Sequence, residues 1–67
     1  MLKYKIDVLA ALKDAGYSSY KIRKDNIFAQ YTVSQIRSGT VVSLAALDKL
    51  CSLLQCQPGD ILEYVEE

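Results

Sequence analysis

The side chains able to do chemistry in this 67-residue chain are few. There is no histidine, so the proton shuttle of neutral pH and the commonest zinc ligand are both missing. Cys51 and Cys56 cannot alone supply the roughly four ligands of a structural zinc site, and the metal expectation is none. Cys51 falls in a row of leucines and reads as a small core residue, Cys56 as a half-buried one. Glu66 and Glu67 read as a frayed end, not an acid/base pair. With no glycine-rich phosphate loop and no nucleophile–base pair, the expectation is no enzyme and no cofactor. What remains is a polar set at helical spacing: Gln30, Tyr31, Ser34, Gln35 and Arg37. A glutamine amide can pair bidentately with an adenine edge in the major groove of B-DNA, which admits a helix. Ser18 and Ser19, at the start of the preceding helical segment, are natural phosphate donors.

These groups need a frame to hold them. The chain is long enough for one small domain, read here as residues 1–67. Its 51% apolar and 24% charged residues give a globular balance rather than that of a disordered tail. A core of this size supplies roughly 3–5 kcal/mol, so nearly every apolar position should be used in it or in a dimer contact. No apolar run approaches the roughly 20 residues that span a bilayer, and the N-terminus lacks the apolar stretch of a signal peptide. The expectation is a soluble cytoplasmic protein with no membrane partner.

The periodicity reads as a string of short helices, an all-α fold. The first runs from about Ile6 to Ala15, with Ile6, Val8, Leu9, Leu12 and Ala15 near one stripe and Gly16 as its stop. Ser18 is a natural N-cap for a second, about Ser19 to Asp25, basic through Lys21, Arg23 and Lys24. A connection of residues 25–28 leads to a third helix, about Ala29 to Arg37, closed by Ser38-Gly39-Thr40. Val41-Val42 reads as a short extended stretch. Ser43 caps a fourth helix, about Leu44 to Leu54, whose stripe is Leu44, Leu47, Leu50, Cys51 and Leu54. Pro58 opens a fifth, to about Tyr64. At the two ends a strand pair is the alternative reading, formed by residues 2–6 and 61–65. Leu2, Tyr4 and Val65 either make a dimer contact or cap the core, and Tyr4, Tyr17, Tyr20 and Tyr64 read as edge-of-core residues with wet hydroxyls.

Eight basic and eight acidic residues cancel, so no global field draws the chain to nucleic acid or to an anionic membrane. The neutral total conceals a division. Residues 1–37 hold seven basic and three acidic side chains, a surplus of four positive charges. Residues 38–67 hold one basic and five acidic side chains, a surplus of four negative ones. The positive half contains the second and third helices.

The segment from Gly16 to Gly39, GYSSYKIRKDNIFAQYTVSQIRSG, is helix, short connection, helix, with Ile22, Phe28, Val33 and Ile36 as apolar pins on the inner side. It resembles the helix-turn-helix of the lambda-repressor-like (Cro/XRE) family, whose pattern is G-L-S-Q-x-x-L-A-x-x-x-G-I-S-x-x-x-I-S-x-I-E-x-G. Gly16, Ser18, Ile22, Phe28, Val33, Ser34, Ile36 and Gly39 stand where that pattern places them. The run from Ser43 to Cys51 is similar to the family's fourth helix. The run from Leu54 to Tyr64 is similar to the ending of a compact branch found in bacterial genomes and mobile elements. Three departures stand out. Arg23 replaces the alanine where the two helices pass closely, so it must snorkel outward or open the crossing. Ile27 replaces the turn glycine; a β-branched residue resists positive φ, so the turn should be reshaped and Ile27 buried. Ser19 replaces the glutamine that braces the recognition helix.

The resemblance implies a five-helix lambda-repressor-like domain with the helix-turn-helix at its second and third helices. It implies a regulator, a repressor, that binds a palindromic double-stranded DNA operator as a homodimer through the third helix. Carried over by position, Gln30, Tyr31, Ser34 and Gln35 become candidate base readers. Ser19, Lys21, Lys24, Arg37 and Thr40 become candidate phosphate contacts. A second reading stands beside it, favoured by the neutral charge, Arg23 and Ile27. The fold would then be a protein-binding adaptor, antirepressor- or antitoxin-like, with little DNA affinity and its acidic C-terminal half as the partner surface.

Overall fold

The computed structural model describes residues 1–66; Glu67, half of the terminal carboxylate pair, lies outside the described residues. The order is β1 (Leu2–Tyr4), α1 (Val8–Asp14), α2 (Ser19–Lys24), α3 (Gln30–Ser38), α4 (Leu44–Leu54), α5 (Pro58–Ile61) and β2 (Leu62–Tyr64). The five expected helices are present and the fold is mainly helical. β1 and β2 add a small antiparallel ribbon that joins the chain's ends, with Leu2 opposite Tyr64, Lys3 opposite Glu63 and Tyr4 opposite Leu62.

Two boundaries differ from the sequence reading by more than one residue, each for a local reason. α1 begins at Val8, two residues later than expected, because the Asp7 carboxylate accepts from the Ala10 amide at 3.2 Å and caps the helix there. Ile6 is left outside the stripe and 39% exposed. α5 is one turn, ending at Ile61, because the ribbon takes over: Leu62 is extended at φ −120°, ψ 154°. The Lys5 amide donates to the Ile61 carbonyl at 2.7 Å, and the Val65 amide to the Met1 carbonyl at 2.8 Å. The terminal strand alternative is therefore the one adopted.

All five helices feed one core. Val8 and Leu12 come from α1, Ile22 from α2, Ile36 from α3, Leu47 and Leu50 from α4, and Ile61 from α5. Phe28 and Val42 enter it from the connections on either side of α3. Leu12, Ile22, Leu50 and Ile61 are wholly enclosed. Leu44 departs from its expected place in the α4 stripe. It is the first residue of the helix, about one turn before Leu47, and is 83% exposed. Tyr20 and Tyr64 likewise stand free of the core edge, at 69% and 70% exposure, whereas Tyr4 and Tyr17 pack against it.

The ends of the helices explain their short lengths. Ser18 and Ser43 cap α2 and α4 as expected, each accepting an amide three residues on at 3.2 Å. At the other end of α2 the left-handed residue is Asn26, at φ 51°, one position before the family's glycine. The Asn26 amide reaches the Arg23 carbonyl at 3.3 Å, and the Ile27 amide reaches that of Ile22 at 3.0 Å. This is a Schellman closure with asparagine in the strained place, tolerable because its short polar side chain lowers the cost of positive φ. Ile27 keeps ordinary backbone geometry and packs half-buried beside the core. Lys49 of α4 secures this turn, its ammonium donating to the Ile27 carbonyl at 2.7 Å and lying 5.6 Å from the Phe28 ring centre.

Candidate nucleic-acid interface

The helix-turn-helix has an apolar inside and a polar outside. Ile22, Phe28 and Ile36 are buried, and Val33 is half-buried against them. Those pins fix α3 by its inner side. Gln30, Tyr31 and Ser34 are then forced outward: spaced one, three and four residues apart, they share the face opposite Ile36. Gln30 and Ser34 are exposed, and Tyr31 is 74% exposed. Gln35 is half-buried, at the flank of the same helix.

Between α2 and α3 runs a polar groove. Ser19, Arg23 and Asn26 line it from the α2 side, and Gln30, Tyr31, Ser34 and Arg37 from α3, with Ile22, Phe28 and Val33 as its floor. The fold therefore brings five of the expected site residues together: Ser19, Gln30, Tyr31, Ser34 and Arg37. It leaves Gln35, Lys21, Lys24 and Thr40 outside the groove. Lys21 and Lys24 sit exposed on α2, their ammonium groups 5.4 Å and 5.9 Å from the ring centres of Tyr17 and Tyr20. Thr40 has much of its polar capacity engaged. Its amide donates to the Gln35 carbonyl at 2.8 Å, its hydroxyl lies 3.1 Å from that of Ser38, and its carbonyl accepts from the Tyr4 hydroxyl at 2.7 Å.

Two groove residues lay outside the expected site, Arg23 and Asn26. Arg23 resolves its conflict with the close crossing by running out along the groove, exposed. The signal for it was present, an arginine where the family pattern has alanine, but sequence spacing alone does not say whether such a side chain ends in solvent or beside α3. The start of α3 is also unusual. Ala29 occupies the N-cap with extended geometry, φ −61° and ψ 150°, yet offers no side-chain acceptor to the free amides of the first turn.

Electrostatically the groove is one-sided. Both of its charged residues, Arg23 and Arg37, are cationic, and no carboxylate lines it. The cysteines lie elsewhere, both free and half-buried. Burial pushes the Cys56 thiol above its ordinary value, helped by the neighbouring Cys51 and Asp60, so it stays protonated and is a weak nucleophile. Among the described residues no group of three or more histidine, cysteine or acidic side chains converges on a metal-sized site, and no helix is long and apolar enough to cross a membrane.

A pinned helix pair with its second member's polar face turned outward defines a helix-turn-helix DNA-binding domain. The match extends across the chain: residues 5–67 fit the Cro/C1-type HTH DNA-binding domain. This chain belongs to that family. Among similar proteins is the uncharacterized HTH-type transcriptional regulator YozG of Bacillus subtilis (strain 168). It is 32% identical over 59 residues, which span 88% of this chain and 70% of the relative. No solved structure matches the chain at comparable stringency.

Proposed function

We propose that this protein is a sequence-specific transcriptional regulator, acting as a repressor that occupies a double-stranded DNA operator. It works as one helix-turn-helix unit and binds as a homodimer, each copy laying α3 in the major groove. The observation that carries this reading is the exposed polar face of α3, bordered by a groove whose only charges are two arginines. Gln30, Tyr31, Ser34 and Gln35 are the base readers, glutamine pairing with the N6/N7 edge of adenine. Ser19, Lys21, Lys24, Arg37 and Thr40 hold the backbone, with α2 crossing it as the first helix of such motifs does. Thr40 serves through what its hydroxyl has left to give. A homodimer accounts for specificity from so short a reading helix, because two copies double the number of bases read and impose palindromy on the site.

The relative's name, a transcriptional regulator, supports the regulatory part of this reading. The experiment is selection of bound sites from a pool of random duplexes. An enriched palindrome, its half-sites about 10 base pairs or a multiple apart, is the expected result. Binding to bulk DNA that is salt-insensitive, or absent even near 50 mM salt, would overturn the reading and favour the protein-binding adaptor instead.

A further inference from the structure

Two of the departures from the family pattern in the groove between α2 and α3 change charge, and both in the same sense. Arg23 stands where the pattern has alanine, and Arg37 where it has glutamate. The two positions are fourteen apart in the chain, on different helices, yet the fold places both along one groove. Relative to the pattern, this adds two positive charges and removes one negative at a single place. Two guanidinium groups line one groove, and no carboxylate lines it. An anion entering the groove would gain charge-assisted hydrogen bonds from planar donors suited to phosphate oxygens.

We propose that Arg23 and Arg37 form a two-arginine seat for phosphates of the DNA backbone, each guanidinium neutralising one, with Arg23 as a contact beyond those assigned by position in the family. The seat rests on the DNA-binding reading above. It also explains how α2 manages without the family's bracing glutamine. Ser19, in that place, has a short side chain, while Arg23 lies one helical turn further along the same side of α2 and lines the same groove. Phosphate rather than a base edge is the ligand because Arg23 belongs to α2, the helix that crosses the backbone in this docking while α3 reads the groove.

The test is the salt dependence of binding to a fixed random-sequence duplex, followed by fluorescence anisotropy between about 50 and 200 mM NaCl for the full chain. Each phosphate neutralised contributes about 0.9 to the slope of log K against log salt. Arg23→Ala should lower the slope by about 0.9, Arg37→Ala by about 0.9, and the double variant by about 1.8. The deficit of Arg23→Ala against wild type should therefore narrow about 3.5-fold across that salt range. Folding does not confound the result, since alanine is the family's own residue at this crossing and Arg23 is exposed; an unchanged thermal midpoint checks it. A slope unchanged in Arg23→Ala, with wild type still binding, sinks the seat alone. A loss that differs between this duplex and a second of unrelated sequence makes Arg23 a base reader and overturns the phosphate assignment. Wild type without salt-sensitive binding would overturn the DNA reading and the seat together.

Discussion

Gln30 and Gln35 carry the same amide on the same helix in different surroundings. Gln30, in the first turn of α3, is exposed in the groove, whereas Gln35 is half-buried on the flank, outside it. A base edge meets Gln30 without any rearrangement, so it is the stronger candidate of the two. Gln30→Ala should cost about 1–3 kcal/mol at the selected operator and relax preference at one base pair. Competition binding against operators substituted one base pair at a time measures it; an unaltered preference everywhere would remove Gln30 from the reading set. At the same scale, burial raises the acid groups of Cys56 and Tyr4 above their ordinary values. A group raised in the folded state stays protonated there after the unfolded chain has begun to lose its proton, so stability is full below that range and falls as pH rises through it. The fall should begin near the ordinary thiol value, 9.0, and steepen as Tyr4 joins. Thermal midpoints of wild type and Cys56→Ala at about pH 8 and about pH 10 test this: the variant should lose less than wild type.

The elements of this domain are short, and their ends determine their stability. α2, α3 and α4 begin at residues with extended geometry, and α2 and α4 gain a serine cap that α3 lacks. Ala29 already holds the backbone conformation a cap requires. Ala29→Ser should therefore stabilise by about 1 kcal/mol, since the hydroxyl would meet an amide of the first turn without moving the chain. Urea denaturation reads the change as a shifted midpoint at constant m-value; no shift would mean those amides are already satisfied by water at no cost. The α2–α3 turn is held differently. Asn26 supplies its left-handed residue and Lys49 reaches across from α4 to the Ile27 carbonyl. That reach spans 22 residues, so the reshaped turn depends on a helix that is distant in sequence.

At the scale of the whole molecule, the ribbon β1–β2 closes the chain upon itself and ties to the connection after α3. The link is the Tyr4 hydroxyl, which donates to the Thr40 carbonyl at 2.7 Å, 36 residues away. It steadies the end of α3 from outside the helix-turn-helix. Tyr4→Phe keeps the ring against the core and removes only that donor. It should cost about 0.5–1.5 kcal/mol, and amide exchange should speed most in the α3–α4 connection. Uniform exchange in the variant would mean the tie carries no strain of its own. The division of charge belongs to this scale as well. The division runs along the sequence and only partly in space, since Lys3 of the basic half stands opposite Glu63 of the acidic half. The local positive charge is that of Arg23 and Arg37 in the groove, short in range and sensitive to salt.

Much of this was legible in the residues themselves. The apolar spacing of Ile22, Phe28 and Ile36, the serines at 18 and 43 and the glycines at 16 and 39 are local signals, because period, caps and left-handed turns act within a few residues. They were enough to place five helices and to expect Gln30, Tyr31, Ser34, Gln35 and Arg37 on the outer face of α3, of which Gln35 is instead half-buried. What the tertiary structure alone decided are matters between distant segments. These are the exposure of Leu44, the end of α5 in favour of a strand, the anchoring of Ile27 by Lys49, and above all the lining of one groove by both Arg23 and Arg37. Each depends on which surfaces the packed helices cover and which they leave open, and that follows from the assembled core, not from the spacing of residues along one element.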